Sequence, residues 1–166
     1  GAAAITTSCG FLALVQDDLA AALGVPVAAS SLAQVAPVNR LLPPGRRAGI
    51  LTISASTLSP DHLAAAGVPP GTPVATTEGG REFTRAILSD ADTLDTDAAR
   101  ADCVHAARAL QAAHAELGAL VLECTNMGPY AADISAATGL PVWSVVTHLR
   151  WLHAGLAPPR FDKASA

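Results

Sequence analysis

The fold is decided by the stretch LVLECTN, residues 120–126, in which a short apolar run ends at Cys124. The stretch AAAITTSCG, residues 2–10, repeats this pattern around Cys9. Each is typical of a buried strand whose carboxyl end delivers a thiol to the start of the next helix. Free N–H groups and the positive end of the helix dipole stabilise a thiolate or a bound carboxylate at such a position. Two thiols in matched settings predict a pair that acts on opposite faces of one substrate.

Short strands and helices alternate along the rest of the sequence. Apolar runs predict strands at residues 2–6, 25–28, 49–53, 74–76, 119–123 and 141–145. The longest predicted helix has Thr96 as its N-cap. Strands that alternate with helices pair in parallel, and ligands bind at the carboxyl ends of such strands. We therefore predict an α/β fold with Cys9, Ser54 and Cys124 at one edge of parallel sheets.

Composition limits the classes of protein to which the chain can belong. Of its 166 residues, 51% are apolar and 14% are charged, as expected for a well-packed α/β protein. The net charge of −4, with no basic run longer than Arg46-Arg47, argues against a nucleic-acid partner. No apolar stretch approaches the roughly 18–20 residues of a membrane span, and residues 1–23 lack a signal-peptide pattern. We expect a cytoplasmic protein that binds neither nucleic acid nor membranes.

The three cysteines are too few for a disulfide scaffold and lack C-x-x-C spacing, which favours free thiols. Cys103 lies on one apolar helix face with Ala107 and Leu110, so we expect it in the core. Cys9 and Cys124 could likewise be small buried residues of the core and not reactive thiols.

No metal site is expected from the acidic and histidine residues. The acidic stretch is expected to be a solvated loop and helix start and consists of Asp90, Asp92, Asp95 and Asp97. The histidines lack ligand spacing and are expected at the surface; they are His62, His105, His114, His148 and His153. His148, near the start of the last predicted helix, could instead approach the site. Both tryptophans, Trp143 and Trp151, are expected to be packing residues.

Two motifs resemble those of the aspartate/glutamate/hydantoin racemase superfamily, which also includes arylmalonate decarboxylase and maleate isomerase. They are ECTNMGPY, residues 123–130, and the hydroxyl-rich loop SAST, residues 54–57, which lies between the two cysteine loops in the sequence. The resemblance extends from Ala3 to about Leu152. It implies two Rossmann-like lobes with parallel sheets, related by pseudo-twofold symmetry, and a cofactor-independent site in the cleft between them.

The family pattern assigns residues 1–44 and 143–166 to the first lobe, including a final helix that starts at Ser144, and residues 45–142 to the second lobe. The chain enters the first cysteine strand almost directly, whereas family members carry an earlier strand and helix. We therefore expect the first lobe to be incomplete, with an exposed sheet edge that a homodimer would cover.

Two thiols on opposite sides of a carbon acid predict a two-base racemisation. One thiolate removes the proton next to a carboxylate, and the opposite thiol donates a proton to the other face. The helix-start setting must then lower the pKa of one thiol, and fixed donors must stabilise the developing negative charge. The residues expected to bind a small carboxylate substrate are Ser8, Gly10, Ser54, Ser56, Thr57, Thr125 and Asn126. No cofactor is required by this chemistry.

The sequence leaves alternatives open for several of these assignments. Ser54, Ser56 and Thr57 could cap the next helix instead of contacting a substrate, and Asn126 could be a turn residue. Asn126 also replaces the histidine that follows the Cys-Thr pair in glutamate racemases, which leaves the substrate open. A single cysteine would suffice for a decarboxylase or a cis-trans isomerase, and a non-catalytic binding module is the remaining class.

Overall fold

The structure, a computed structural model, describes residues 1–160 and contains two parallel sheets. The smaller sheet pairs β1 (Ile5–Thr6) with β2 (Val27–Ala28). The larger sheet has the order β4-β3-β5-β6, and its strands are β3 (Arg47–Thr52), β4 (Val74–Thr76), β5 (Leu117–Leu122) and β6 (Val142–Trp143). All paired strands run parallel, which confirms the predicted α/β class.

Helices connect the strands, as parallel pairing requires. The α-helices are α1 (Gln16–Ala22), α2 (Val35–Leu41), α3 (Pro60–Ala65), α4 (Phe83–Leu88), α5 (Thr96–Ala113), α6 (Ala131–Thr138) and α7 (Val145–Leu156). Short 3-10 turns lead into α1, α2 and α6 and span Gly10–Val15, Ser31–Gln34 and Thr125–Tyr130. None of the helices within residues 1–160 combines the length and apolar character needed to cross a membrane.

The larger sheet is buried on both faces because its central strands, β3 and β5, alternate apolar side chains between two layers of helices. One cluster includes Leu51, Leu120, Leu122, Phe83 and Cys103. The cluster on the opposite face includes Ile50, Ala119, Val121, Leu32 and Val35. Cys103 is fully buried, which confirms its predicted position in the core.

The helical segments after β1 and β2 open with 3-10 turns, a tighter geometry that is common at helix ends. The start of α5 differs from the sequence prediction. Asp95, and not Thr96, is the N-cap of α5, because its carboxylate accepts hydrogen bonds from the N–H groups of Asp97 and Ala98 at 3.1 and 3.0 Å. A carboxylate in this position also interacts favourably with the helix dipole.

The strands at both ends of the chain are shorter than predicted. Only two residues each of β1, β2 and β6 form ladder pairs, and each of these strands has a single neighbour within residues 1–160. The predicted division into lobes of residues 1–44 with 143–166 and of residues 45–142 stays a prediction. Residues 161–166 of the first lobe lie outside the described part of the chain.

Candidate functional site

The carboxyl edge of the larger sheet carries three polar segments on neighbouring strands. Ser54 follows β3, Glu78 follows β4 and Cys124 follows β5. Because β3 lies between β4 and β5, and paired strands are about 4.8 Å apart, these segments are adjacent. The predicted placement of Ser54 and Cys124 at one sheet edge is therefore confirmed.

The structure brings the Cys9 loop into direct contact with the Cys124 loop. The Thr125 hydroxyl donates a hydrogen bond of 2.8 Å to the carbonyl oxygen of Ser8. Gly10 lies so close to Glu123 that a Cβ atom at position 10 would be 2.7 Å from the Glu123 carbonyl oxygen. Since contacts join both neighbours of Cys9 to both neighbours of Cys124, the two cysteines belong to one local structure.

The two thiols have different environments. Cys9 is exposed, whereas Cys124 is 9% exposed. The pKa of Cys124 is raised to about 12, mainly by burial and to a smaller extent by the nearby Glu123 and Cys9, although backbone N–H groups of the following turn act in the opposite direction. The expectation that a helix start lowers the thiol pKa is therefore wrong for Cys124, because desolvation outweighs the hydrogen bonds. At neutral pH, Cys124 is a protonated thiol.

Cys103 lies in the same apolar cluster as Cys124, beneath the candidate site. Burial is the main reason that the pKa of Cys103 rises to about 12. Because its side chain is fully enclosed, Cys103 has no route to a substrate.

The loop after β3 binds a carboxylate that belongs to the protein. Glu78 accepts hydrogen bonds from the hydroxyls of Ser54 and Ser56, both at 2.6 Å, and from the N–H group of Ala55 at 3.1 Å. These hydroxyl hydrogen bonds lower the pKa of Glu78 to about 2. Thr57 instead donates to the carbonyl oxygen of Ser54 at 3.5 Å, within the turn. The Ser54–Ser56 segment thus has the donors for a carboxylate.

Two acidic residues of this site, Glu78 and Glu123, were missed by the sequence analysis. Glu78 could have been found from its position directly after the β4 strand, which matches the positions of Ser54 and Cys124 after their strands. Glu123 could have been found as a charged residue at the end of an apolar strand. It is 1% exposed, and burial raises the pKa of its carboxyl group.

A cavity of about 480 Å³ lies beside the Cys124 loop, on the side of α5. Thr125 and Asn126 line it together with Arg100 and Tyr130, but neither Cys9 nor Cys124 does. The Arg100 guanidinium group forms ion pairs with Asp97 and Asp133, so its charge is balanced within the protein. Asn126 is exposed at the turn after Cys124, where both of its predicted roles, as ligand donor and as turn residue, stay open.

The expectation of a surface position for the histidines is wrong for His148. This residue is 5% exposed, and neither ring nitrogen has a hydrogen-bond partner within the described residues. Burial lowers the pKa of His148. Trp151 stacks on it with ring centroids 6.2 Å apart but is itself 73% exposed, so its expected packing role is also wrong.

Among residues 1–160, no group of three or more His, Cys, Asp or Glu side chains could hold a metal ion.

Solved structures define the class of fold. A glutamate racemase isoform, RacE1 from Bacillus anthracis, matches 93% of this chain and 59% of its own with a TM-score of 0.60 at 17% identity. Arylmalonate decarboxylase, in a glycine-to-cysteine variant associated with sulfate, matches 98% of this chain and 70% of its own with a TM-score of 0.60 at 17% identity. Allantoin racemase from Pseudomonas fluorescens matches 85% of this chain and 62% of its own with a TM-score of 0.56 at 21% identity.

The chain therefore has the fold of the aspartate/glutamate/hydantoin racemase superfamily, as its cysteine loops and ECTNMGPY motif predict. No family model matches the sequence. Among curated proteins, it is 26% identical to a dimethylsulfoniopropionate lyase of Durusdinium sp. clade D, over 97% of this chain and 55% of the relative. It is 28% identical to dimethylsulfoniopropionate lyase 7 of Emiliania huxleyi, over 97% of this chain and 50% of the relative. The chain thus spans about half the length of these relatives.

Proposed function

We propose that the chain is an enzyme whose Cys9 and Cys124 thiols transfer protons at the carbon next to the carboxylate of a small substrate. The observation that carries this proposal is the contact between the two cysteine loops at the carboxyl ends of parallel strands. Thiols are competent acids and bases for these proton transfers, so the proposed chemistry uses no cofactor.

The reaction that the curated relatives favour is elimination from dimethylsulfoniopropionate. A thiolate removes a proton from the carbon next to the carboxylate, and the electron pair of that C–H bond forms a carbon–carbon double bond. The bond between the next carbon and sulfur breaks, and its electron pair goes to the sulfur. The products are acrylate and neutral dimethyl sulfide, and the proton passes from the thiol to water.

The different environments of the thiols support different roles. Cys9 is exposed, so water can take up its proton after each turnover. Cys124 stays protonated at neutral pH because burial raises its pKa to about 12, which suits a proton donor. We therefore assign Cys9 as the base and Cys124 as the acid. Elimination needs only the base, whereas inversion of a stereocentre needs both residues.

The charge and position of Glu78 favour a substrate that carries a cation as well as a carboxylate. Its pKa of about 2 keeps it ionised at every pH at which the enzyme would work, and its side chain is exposed at the carboxyl edge of the sheet. An ionised carboxylate attracts a sulfonium or ammonium group of the substrate. The hydrogen bonds from Ser54 and Ser56 hold this carboxylate in one orientation.

Racemisation of an amino acid or a related carbon acid is the second candidate. Two thiols from facing loops fit it, and two of the fold neighbours are a glutamate racemase and an allantoin racemase. Fold alone does not select between these reactions. The choice between elimination and racemisation therefore depends on the substrate that the chain turns over.

A substrate panel tests the proposal. The chain is incubated with dimethylsulfoniopropionate, and dimethyl sulfide is measured by gas chromatography and acrylate by liquid chromatography. Parallel reactions with single enantiomers of aspartate, glutamate and allantoin are analysed on chiral columns. Release of both elimination products supports the lyase, and inversion without elimination supports the racemase. Turnover of only a substituted malonate or maleate, or of none of the compounds, contradicts the proposal.

A further inference from the structure

Glu123 is a buried acid that the proposed proton transfers do not use. It follows the apolar strand β5 and directly precedes Cys124, yet its side chain is 1% exposed. Burial of an ionisable group is costly unless the group has partners. The Thr52 hydroxyl donates a hydrogen bond of 2.8 Å to Oε2 of Glu123, and the Ile53 N–H group also bonds to its carboxyl group. The carboxyl group is therefore anchored to the end of β3.

The other side of the Glu123 carboxyl group faces the Cys9 loop. A Cβ atom at position 10 would lie 2.8 Å from Cδ of Glu123, so only glycine allows the loop to approach this closely. The backbone of Glu123 is fixed as well, because its N–H group donates to the Leu51 carbonyl oxygen at 2.9 Å. The Ser31 hydroxyl bonds to the Glu123 carbonyl oxygen at 3.1 Å. Four chain segments thus meet at one residue.

We infer that Glu123 is a positioning residue whose carboxyl group sets the distance between the Cys9 and Cys124 loops. The carboxyl group is held on one side by β3, and Gly10 rests on its other side, so the length of the side chain determines where the Cys9 loop stops. The inference rests on the proposed function, because it assigns a purpose to the spacing of the two thiols. A displacement of about 1 Å at a reacting group can cost up to a hundredfold in rate.

Length and charge of the side chain make separable contributions to this role. Glu123→Asp keeps the acid but shortens the side chain by one methylene group, which leaves a gap below Gly10. Glu123→Gln keeps the length and accepts the same hydrogen bond from Thr52. The amide has the size and shape of the carboxyl group, and burial, which raises the pKa of Glu123, favours an uncharged group at this position.

Cross-linking and kinetics test the inference in the full chain. Dibromobimane, which fluoresces only when both of its arms have reacted, is used to join Cys9 to Cys124, and mass spectrometry identifies the linked peptides. We expect Glu123→Asp to reduce the cross-linking yield and to lower kcat roughly tenfold or more, with little change in KM. Glu123→Gln should keep the cross-linking yield and the kcat of the native chain. Glu116→Asp, at a partly exposed acid directly before the start of β5, is the matched control and should behave like the native chain.

A second variant tests the same contact from the opposite side. Gly10→Ala adds a methyl group against Glu123 and should reduce the cross-linking yield in the same way as Glu123→Asp. Gly24→Ala, where a Cβ atom would meet nothing within 4 Å, is its control. Native cross-linking in Glu123→Asp or in Gly10→Ala would overturn the inference, as would a loss in Glu123→Gln equal to that in Glu123→Asp. Cross-linking without any turnover by the native chain would contradict the proposed function and leave the positioning role supported.

Discussion

The Thr125 hydroxyl donates a hydrogen bond of 2.8 Å to the carbonyl oxygen of Ser8, across 117 positions of the sequence. It is the direct polar link between the loops that carry Cys9 and Cys124. Two loops from distant parts of the chain are held together here by a bond from one side chain of the ECTNMGPY motif to a backbone carbonyl group. The sequence predicts Thr125 as a substrate-binding residue, but in this structure its hydroxyl group is bonded to the Ser8 carbonyl oxygen.

Removal of this hydrogen bond should loosen the Cys9 loop. Thr125→Val keeps the shape of the side chain but removes the donor, so we expect a loss of about 1 kcal/mol in the free energy of unfolding. The cross-linking yield of Cys9 with Cys124 should fall as well. Thr125→Ser keeps the hydroxyl and is the matched control. Urea unfolding and dibromobimane labelling measure both effects, and equal behaviour of the two variants would contradict this account.

The three thiols should react with iodoacetamide in a fixed order. Cys9 is exposed and should be alkylated first, followed by Cys124 and then by Cys103. Only the thiolate reacts, and the pKa of about 12 at both buried residues keeps them protonated near neutral pH. Peptide mapping by mass spectrometry after timed labelling at pH 7.5 gives the order. Faster labelling of Cys103 than of Cys9 is incompatible with the structure.

Glu78→Gln should weaken binding of a cationic substrate selectively. The variant keeps the size of the side chain but removes the negative charge, so we expect KM for dimethylsulfoniopropionate to rise roughly tenfold. Inhibition by acrylate, which carries no cation, should change much less. Asp17→Asn, on the exposed helix α1, removes one negative charge elsewhere and serves as the control. Equal changes for the substrate and for acrylate would indicate that Glu78 acts only by orienting the Ser54 loop.

His148 should make the protein less stable in mild acid. Burial lowers its pKa in the folded state, so the unfolded chain binds the proton more readily. The contribution of His148 to stability is complete above its unfolded pKa of about 6.5 and is lost as the pH falls through that value toward the lower folded pKa. His148→Phe should remove this part of the pH dependence and, because it also removes two unpaired buried nitrogens, should stabilise the protein by roughly 1–3 kcal/mol at pH 7.

Urea unfolding between pH 5 and pH 8 checks the prediction for His148. His153→Gln changes an exposed residue of the same helix and should leave the pH dependence as it is in the native chain. If the free energy of unfolding of His148→Phe depends on pH as it does in the native chain, other groups cause the sensitivity to acid.

The location of the site could be predicted from sequence because it depends on local pattern and on a general rule of topology. The β4 strand, Val74–Thr76, has the predicted bounds. Cys124 and Ser54 follow apolar runs, and parallel strands bring their carboxyl ends to one edge. The close approach of the Cys9 loop to Cys124, in contrast, follows from contacts of Gly10 and Thr125 that have no local signature.

Burial explains most of what the sequence did not predict. The sign of the pKa shift at Cys124 depends on how deeply the thiol is enclosed, which is a property of the whole fold. The same is true of His148, which helix packing encloses although histidines without ligand spacing are expected at the surface. Glu78 lies in a polar segment rich in glycine, without periodicity, so its position after the β4 strand is the sequence signal that marks it as a residue of the site.

Alanine substitution of each cysteine tests the central claim that Cys9 and Cys124 form one proton-transfer site. The release of dimethyl sulfide from dimethylsulfoniopropionate is measured for Cys9→Ala, Cys124→Ala and Cys103→Ala, with melting temperatures recorded to verify folding. We predict a loss of about a hundredfold or more in kcat for Cys9→Ala, which removes the base, and near-native turnover for Cys103→Ala. Cys124→Ala should lose less than Cys9→Ala, because elimination needs only the base. Native turnover in Cys9→Ala, or equal losses in all three variants, would contradict the claim.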